Sequence, residues 1–300
     1  MPTEKDLPIE KDSPIEKDSP KKDLPKDSPT EKEKWNLEMG LEFTHVDMEL
    51  ADRFVVPDLR QCALLLDIDG TILDLAPAPQ EVWVPAQLRN TLSRLEDLTG
   101  GALALVSGRS LHDIDLIFSP LQLAAVGGHG AELRVVPGGE PVTRARELNP
   151  VLKRKLATLT ELGPGILVED KGYSLALHYR LAPDKGDVLR AAIQDICATA
   201  PRGSVEILPG KLVFEIKIAG ISKAGAVREL MKHPPFKGRN PIFIGDDTTD
   251  EPVFPILSQF GGLGFSVGRV VADVNGHFEK PESVRAWLSR IANKGQGTAV

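Results

Sequence analysis

The chain has 300 residues, 41% of them hydrophobic, which is enough for a sizeable core and for two domains. Its formal net charge of -7 argues against a nucleic-acid-binding protein or a protein that binds anionic membranes, because both need a basic surface. Its apolar runs are shorter than the roughly 20 residues that span a bilayer, and the N-terminus lacks a signal-peptide core, so we expect a cytoplasmic protein.

Residues 1–34 differ in composition from the rest of the chain. They form an imperfect repeat with a proline in every unit, as in Asp12-Ser-Pro-Ile-Glu-Lys, and contain neither aromatic residues nor glycine. Proline interrupts helices and strand ladders, and a segment with so few apolar residues cannot bury enough surface to fold. We therefore predict a disordered tail, which could be a spacer or could recruit a partner.

The globular part is expected to begin near Trp35, and its first strand ends in two carboxylates. The apolar run Cys62-Ala63-Leu64-Leu65-Leu66 is typical of a strand buried on both faces, and Asp67-Ile68-Asp69-Gly70-Thr71 follows it. Open α/β sheets bind ligands at the carboxyl ends of their strands. One carboxylate can attack an electrophile there and the other can carry a proton. An Asx-rich turn without a ligand is the alternative.

The next elements indicate a parallel βαβ arrangement. Pro85 begins a helical pattern with leucines spaced three and four residues apart, and Ala102–Val106 is predicted to be a second buried strand. This strand ends in Ser107-Gly108-Arg109, which could bind a phosphoryl group, although a serine there could equally be a helix cap. A third strand, Leu123–Val126, leads into a glycine-rich loop around His129.

Between residues 132 and 219 the pattern changes to paired strands and two helices. Tight turns suggest a hairpin at Glu132–Thr143, two strands within Ile166–Tyr179 and a second hairpin at Ser204–Ile218 that turns at Pro209-Gly210. Helical patterns cover Pro150–Leu162 and Asp184–Ala200. This order predicts an antiparallel sheet with helices on one face, inserted over the tips of the parallel strands.

The inserted segment carries charged residues on its predicted strands and turns. Strand periodicity places Lys211, Glu215 and Lys217 on one face, opposite an apolar face that contains Phe214 and Ile216. Such a face could form a polar wall that hydrogen-bonds a hydroxyl-rich ligand. A solvated face with no ligand is the alternative.

Acidic residues also follow the last predicted strand. Pro241–Gly245 leads into Asp246, Asp247 and Asp250, so a parallel sheet would gather these carboxylates beside the first strand's pair. Clustered carboxylates repel one another unless a cation lies among them, and hard oxygen ligands select Mg2+. Lys223, in the first turn of a predicted helix, would meet an anionic centre. Together, the carboxylates at the strand ends and Lys223 favour phosphoryl transfer through an aspartyl phosphate.

In chain order, the DxDGT segment, a strand-end serine, a helical lysine and a GDDxxD segment resemble the four motifs of the haloacid dehalogenase superfamily. The stretches LDIDGTILDLAPAP, KGYSLALHYR and GKLVFEIK are similar, more specifically, to the trehalose-6-phosphate phosphatase family. The resemblance implies an α/β fold: a Rossmann-like three-layer core with a parallel sheet, formed by residues 35–131 and 220–300, plus an inserted α+β cap domain at 132–219.

The implied function is Mg2+-dependent hydrolysis of trehalose 6-phosphate, the last step of trehalose biosynthesis. Another sugar-phosphate phosphatase or phosphomutase of the superfamily, and a non-catalytic sugar-phosphate sensor, remain as alternatives. The tail could contact the trehalose-phosphate synthase; no nucleic acid or membrane is expected as a partner.

The resemblance also implies roles for individual residues. Asp67 would be the nucleophile, Asp69 the acid and base, and Ser107 and Lys223 would hold the phosphoryl group. The implied metal ligands are Asp67, the backbone carbonyl of Asp69, and Asp246, supported by Asp247 and Asp250. The residues implied to face the sugar hydroxyls are Arg109, His129, Glu169, Lys171, Lys211 and Glu215.

Three features depart from the family's pattern. The usual glycine-rich tail of the last strand reads Gly268-Arg269-Val270-Val271 here, and two single positions also differ. Ile218 stands where the family commonly has proline, and Ala224 stands where it commonly has glycine. We expect Ile218 to loosen one connection between core and cap, and Ala224 to crowd the phosphate loop, without removing a catalytic group.

Overall fold

The computed structural model describes residues 58–75 and 82–294. The predicted tail at 1–34, its suggested roles and the predicted start of the globular part near Trp35 lie outside the described residues. Across the described ranges, no helix is both long enough and apolar enough to cross a membrane.

The first part of the described chain alternates strands and helices and then forms a hairpin. Its elements are β1 (Cys62–Leu66), α1 (Ala86–Leu98), β2 (Leu103–Val106), α2 (Leu111–Phe118), β3 (Ala124–Gly127), β4 (Glu132–Arg134) and β5 (Val142–Thr143).

The middle part contains α3 (Pro150–Ala157), β6 (Leu167–Asp170), β7 (Ser174–His178), α4 (Gly186–Ala198), β8 (Val205–Gly210) and β9 (Val213–Ile218). The last part contains α5 (Lys223–Leu230), β10 (Asn240–Gly245), α6 (Phe254–Leu257), β11 (Leu263–Val267), β12 (Gly276–Phe278) and α7 (Pro281–Lys294).

The larger sheet has eight strands in the order β12-β11-β10-β1-β2-β3-β4-β5, and its strands from β12 to β3 are parallel. Successive residues of β1 point to opposite faces, and both faces are covered: Leu64 packs with α1, α2 and α7, whereas Leu65 packs with α5 and α6. Burial on both faces explains the uninterrupted apolar run. The predicted three-layer α/β core with a parallel sheet is confirmed.

The hairpin at Glu132–Thr143 exists, but it lies in a different sheet from the one expected. β4 pairs antiparallel with β3, and β5 pairs with β4, so the hairpin extends the edge of the large sheet. The expected cap boundary at residue 132 is therefore wrong for this hairpin. Tight turns identify a hairpin from sequence, but the strand it pairs with is decided by long-range hydrogen bonds.

The smaller sheet is antiparallel, with the order β6-β7-β9-β8. One of its faces packs on α3 and α4 through residues such as Leu177 and Phe214. The hairpin of β8 and β9 turns at Lys211-Leu212, where Leu212 has a positive φ of 59°, rather than at the predicted Pro209-Gly210. Lys211 is consequently an exposed turn residue and does not share the strand face of Glu215 and Lys217.

The two positions that depart from the family's pattern are both accommodated. Ile218 ends β9, pairs with Val205 and packs on the cap core. Ala224 is buried in α5 among the core residues beneath the large sheet. Their expected effects on the core–cap connection and on the phosphate loop remain predictions.

Candidate active site

A cluster of buried charges lies where β1 and β10 end. Asp67, Asp246 and Asp250 each place a carboxylate oxygen within 4.8 Å of the others. Lys223 Nζ donates to Asp67 Oδ1 and to Asp250 Oδ1, both at 2.7 Å. The Thr71 hydroxyl donates to Asp67 Oδ2 at 3.0 Å. Both oxygens of Asp67 are therefore held by hydrogen-bond donors.

Gly70 lets the chain turn closely past this cluster. Its φ is 85°, and a Cβ atom there would lie 2.0 Å from Asp246 Oδ2. A positive φ is strained for other residues, and this contact leaves no space for a methyl group. The DxDGT segment therefore needs glycine for the approach of Asp246 as well as for the turn.

The electrostatics of the cluster indicate an excess of negative charge. Burial, together with the charges of Asp67 and Asp250, raises the pKa of Asp246 well above its usual range. Burial and the charge of Asp67 likewise raise the pKa of Asp250, against the opposing effect of Lys223. Burial alone would lower the pKa of Lys223, but the attraction of Asp250 and Asp67 outweighs it and raises that pKa.

A divalent cation fits this cluster. One lysine faces three buried or half-buried carboxylates, and the oxygen-only set matches the preference of a hard cation. Such a cation would relieve the repulsion that raises the carboxyl pKa values. Three residues that the sequence predicted as metal ligands, Asp67, Asp246 and Asp250, therefore lie together in this cluster.

The side chains of Asp69 and Asp247 lie outside this carboxylate set. Asp247 is exposed, and its Oδ1 accepts the Thr248 N–H at 2.7 Å. The resemblance assigned the metal only to the backbone carbonyl of Asp69, and the side chain has another partner: Arg109 Nε and Nη2 each donate to it at 2.6 Å. Arg109 pairs with the candidate acid and also lines the cleft, and its expected contact with the sugar remains a prediction.

Ser107 and Lys223 approach Asp67 from two further elements. Ser107 directly follows β2, is 2% exposed, and accepts the Arg109 N–H through Oγ at 3.1 Å. Lys223 is the first residue of α5, whose N-cap Ser222 accepts the Gly225 N–H at 3.1 Å. The parallel sheet and the helix start thus bring serine, lysine and aspartate together from distant parts of the chain.

The cap contributes a second polar cluster, centred on Glu215 of β9. Glu215 Oε1 accepts the Ser174 hydroxyl at 2.6 Å, and Oε2 lies 3.4 Å from His129 Nε2 and 3.6 Å from Lys171 Nζ. Burial would raise the pKa of Glu215, but the His129 hydrogen bond and the Lys171 charge lower it to about 2. His129, on the core loop after β3, therefore joins core and cap at an ionised carboxylate.

Glu169 belongs to the same face of the small sheet. The strand register places it opposite Ala176, which is itself opposite Glu215 on the next strand. His178 Nε2 lies 2.9 Å from Glu169 Oε2, and this hydrogen bond, with the nearby Lys171 charge, lowers the pKa of Glu169 although burial opposes the change.

A cleft of about 260 Å³ separates the two clusters. The predicted site residues that line it are Asp67, Asp69, Ser107, Arg109, His129, Glu169, Lys171, Glu215, Lys223 and Asp247. Lys211 is absent from the described lining residues because it stands in the hairpin turn.

Sequence reasoning missed several contributors to the cleft and its surroundings, among them Arg180 and Ser174. Arg180 lines the cleft, and Ser174 fixes Glu215. Ser174 follows the period-2 pattern of Ala176 and His178 on β7, so its face was predictable. Its pairing with Glu215 was not, because it depends on the register of β7 against β9.

The fold and the site together define a class. A parallel α/β sheet with helices on both faces, charged residues at its strand ends and an inserted cap is the architecture of the haloacid dehalogenase superfamily. A Bacteroides thetaiotaomicron phosphatase of that superfamily, BT1666, has a TM-score of 0.54 at 15% identity, covering 81% of this chain and 98% of the other. A likeness at this identity shows the fold alone.

Sequence comparison gives the particular family. Residues 65–284 match the family described as Trehalose-phosphatase, and the chain belongs to that family. It is 41% identical to a probable trehalose-phosphate phosphatase of Sinorhizobium fredii over 78% of this chain and 89% of the relative. It is 35% identical to the Escherichia coli trehalose-6-phosphate phosphatase over 76% and 86% of the respective chains.

A solved structure agrees with this assignment. A trehalose-6-phosphate phosphatase related protein is 26% identical to this chain, with a TM-score of 0.65, and the match covers 79% of this chain and 99% of the other. The predicted family, fold class and enzyme class are thereby confirmed.

Proposed function

We propose that this protein hydrolyses trehalose 6-phosphate to trehalose and phosphate at the described cleft, through a phosphoaspartate on Asp67. The observation that carries the proposal is the buried Asp67 carboxylate, held by Lys223 and Thr71 directly opposite the polar face of the cap. Family membership supports trehalose 6-phosphate as the substrate.

Asp67 is the nucleophile of the proposed reaction. Its carboxylate oxygen forms a bond to phosphorus while the bond from phosphorus to the sugar oxygen breaks. Asp69, in the cleft beside Arg109, donates the proton that the departing sugar oxygen needs. Water then attacks phosphorus, Asp69 takes a proton from that water, and Asp67 is released with inorganic phosphate.

Asp67, Asp246 and Asp250 would hold Mg2+, with the backbone carbonyl of Asp69 as a further oxygen ligand implied by the sequence. When bound, the cation supplies positive charge that offsets the charge on the transferring phosphoryl group. Lys223 neutralises part of the carboxylate charge, and Ser107, which lines the cleft, would bind a phosphoryl oxygen.

Sugar recognition is assigned to the cap together with His129 of the core. Glu215 and Glu169 present ionised carboxylates, which accept hydrogen bonds from hydroxyl groups, and Lys171 and His129 provide donors beside them. The phosphate would lie against the core and the hydroxyls against the cap, so the substrate must reach both to bind well.

The test is phosphate release by the full chain from trehalose 6-phosphate and glucose 6-phosphate, with Mg2+ and with EDTA. We expect rapid, Mg2+-dependent release from trehalose 6-phosphate and release from glucose 6-phosphate that is lower by about 100-fold or more. Equal rates on both substrates would contradict the proposed specificity, and conversion to an isomeric phosphate would indicate a phosphomutase.

The control is Asp67→Asn, which removes the nucleophile and keeps the shape of the side chain. Turnover should fall by at least about 1,000-fold, while circular dichroism stays that of the wild type. Binding of trehalose 6-phosphate by a wild-type protein without any turnover would instead support a sensor.

A further inference from the structure

Two linkers join the core to the cap. The chain leaves the large sheet after β5 at Thr143, and it returns from Ile218 of β9 to Lys223 of α5. The return linker is residues 219–222, which join the strand that carries Glu215 to the residue that binds Asp67. The conformation of this linker sets the placement of the cap over the phosphate site.

The cap holds the first three residues of the return linker. The Ala219 N–H donates to Ser204 O at 3.1 Å, and the Gly220 N–H donates to Glu206 Oε1 at 3.2 Å. The carbonyl oxygen of Ile221 accepts a hydrogen bond from Lys217 Nζ. Residues 219–221 are therefore fastened to the cap.

Lys217 and Glu206 form the centre of this attachment. They are opposite each other on β9 and β8, and Lys217 Nζ donates to Glu206 Oε2 at 2.6 Å. Lys217 is 5% exposed, so its charge is buried and depends on these partners. It lies on the same strand face as Glu215 but is absent from the described lining of the cleft.

The core holds the linker from Ser222 onward. Ser222 caps α5, its carbonyl accepts the Ala226 N–H at 3.0 Å, and a Cβ atom on Gly130 would lie 2.3 Å from that carbonyl oxygen. Because residues on either side of the Ile221–Ser222 bond are attached to different domains, any rotation of the cap relative to the core would concentrate there.

The other linker, which leads from Thr143 of β5 into the cap, is likewise attached to the core at one end and to the cap at the other. Arg144 Nη1 donates to Gly130 O at 2.8 Å on the core side, and the Leu148 N–H donates to Gly172 O at 3.0 Å on the cap side. The backbone that can rotate between these two attachments is short and lies around Arg146 and Glu147. In both linkers, the backbone that can rotate is therefore confined to a short stretch.

We propose that Lys217 is a positioning residue that fastens the return linker to the cap, so that cap closure brings Glu215 to a fixed place over the phosphate site. The proposal rests on the proposed function, because only a substrate that contacts both core and cap requires this placement. Loss of the Lys217 ammonium would leave the Ile221 carbonyl and the Glu206 carboxylate without their donor and widen the range of cap orientations.

The test compares Lys217→Met with Lys217→Arg on two substrates. Trehalose 6-phosphate must contact both domains, whereas p-nitrophenyl phosphate has no sugar hydroxyls for the cap to bind. We expect Lys217→Met to lower kcat/KM for trehalose 6-phosphate by about tenfold or more and to leave p-nitrophenyl phosphate within about twofold. Lys217→Arg keeps a donor and should restore most of the loss.

The matched control is Lys155→Met, which removes the same charge from an exposed position of α3 on the cap, outside the described lining of the cleft, and should change neither rate. An equal loss on both substrates in Lys217→Met would reduce Lys217 to a general structural role and overturn the proposal, as would no loss on either. Should Lys217→Met fail to fold, Glu206→Gln removes the partner carboxylate at a half-exposed position, and the same selective loss is expected.

Hydrogen exchange separates this proposal from the proposed function. In Lys217→Met, the Gly220 amide should exchange at least about tenfold faster than in the wild type, because Glu206 is no longer held in place. Wild-type protein that shows no activity on trehalose 6-phosphate would refute the proposed function only. An unchanged Gly220 exchange rate would refute the attachment through Lys217, whatever the substrate.

Discussion

Gly70 shows how one residue type decides whether the acidic cluster can form. The chain turns there with a φ of 85°, and Asp246 Oδ2 lies where a Cβ atom would be. A substitution at this position would combine backbone strain with a collision between the new methyl group and a candidate metal ligand.

We expect Gly70→Ala to lower Mg2+-dependent phosphate release by about 100-fold or more, because Asp246 must move away from Asp67. Phosphate release as a function of Mg2+ concentration would measure this, with a weaker apparent affinity for Mg2+ as the accompanying change.

The matched control is Gly238→Ala. Gly238 has a similar φ of 80°, but a Cβ atom there meets nothing within 4 Å. Both variants carry the backbone strain, which costs about 1–3 kcal/mol of unfolding free energy, and only Gly70→Ala carries the collision. Equal activity in the two variants would show that the contact with Asp246 is unimportant.

At the scale of secondary structure, the two faces of the small sheet differ: one packs on helices and the other lines the cleft. Its apolar face packs on α3 and α4, and its polar face holds Glu169, Lys171 and Glu215 over the cleft. The register of β6, β7 and β9 brings these side chains together and surrounds Glu215 with donors. The ionisation of Glu215 is therefore linked to the stability of the folded protein.

The sign of this linkage follows from the pKa of Glu215, which falls from 4.5 to about 2 on folding. The folded state holds the carboxylate form more strongly, so the stabilisation is fully present above pH 4.5 and is lost as the pH falls through about 2. It amounts to roughly 3 kcal/mol. The difference in unfolding free energy between wild type and Glu215→Gln should shrink by most of that amount between pH 5 and pH 2.5, measured by urea denaturation.

Glu229→Gln provides the comparison, because the Glu229 side chain is 36% exposed, against 11% for Glu215, and its ion pairs in the described part of the chain are with Lys232 and His233. Its effect on unfolding free energy should vary much less over the same pH range, because solvent screens such pairs. A wild-type advantage over Glu215→Gln that stays constant down to pH 2.5 would contradict the proposed environment of Glu215.

At the scale of the whole molecule, the acidic cluster is made by chain topology. Asp67 and Asp246 follow β1 and β10, which are adjacent parallel strands although they are far apart in sequence, and Asp250 reaches the cluster from the loop after β10. Binding of a cation to this cluster would stabilise the fold, since the unfolded chain cannot bring these carboxylates together.

We expect Mg2+ to raise the unfolding free energy of the full chain by about 2.7 kcal/mol at a concentration 100 times its Kd. Thermal or urea unfolding with Mg2+ and with EDTA measures the change. In Asp246→Asn the gain should largely disappear. In Asp247→Asn it should remain, because the Asp247 side chain lies outside the carboxylate set. Equal gains in all three proteins would place the cation elsewhere.

Much of the architecture was predictable because local periodicity records burial. Five apolar residues before Asp67 predicted a strand with both faces covered, and the structure packs Leu64 and Leu65 into opposite cores. The order of strands and helices also predicted an antiparallel sheet inserted over the strand tips, and strand periodicity predicted that one of its faces is charged. The hairpin at Glu132–Thr143 was assigned to the wrong sheet, because its own residues do not encode which edge it joins.

The sequence by itself determined which side chains are delivered to the strand ends: Asp67 and Asp69 after one apolar run, and Asp246 after another. The tertiary structure decided their partners, pairing Asp69 with Arg109, Asp250 with Lys223 and Lys217 with Glu206. The reason is physical: periodicity follows from backbone geometry within an element. Contacts between side chains depend on strand order, register and closure of the cap over the core, which only the folded chain fixes.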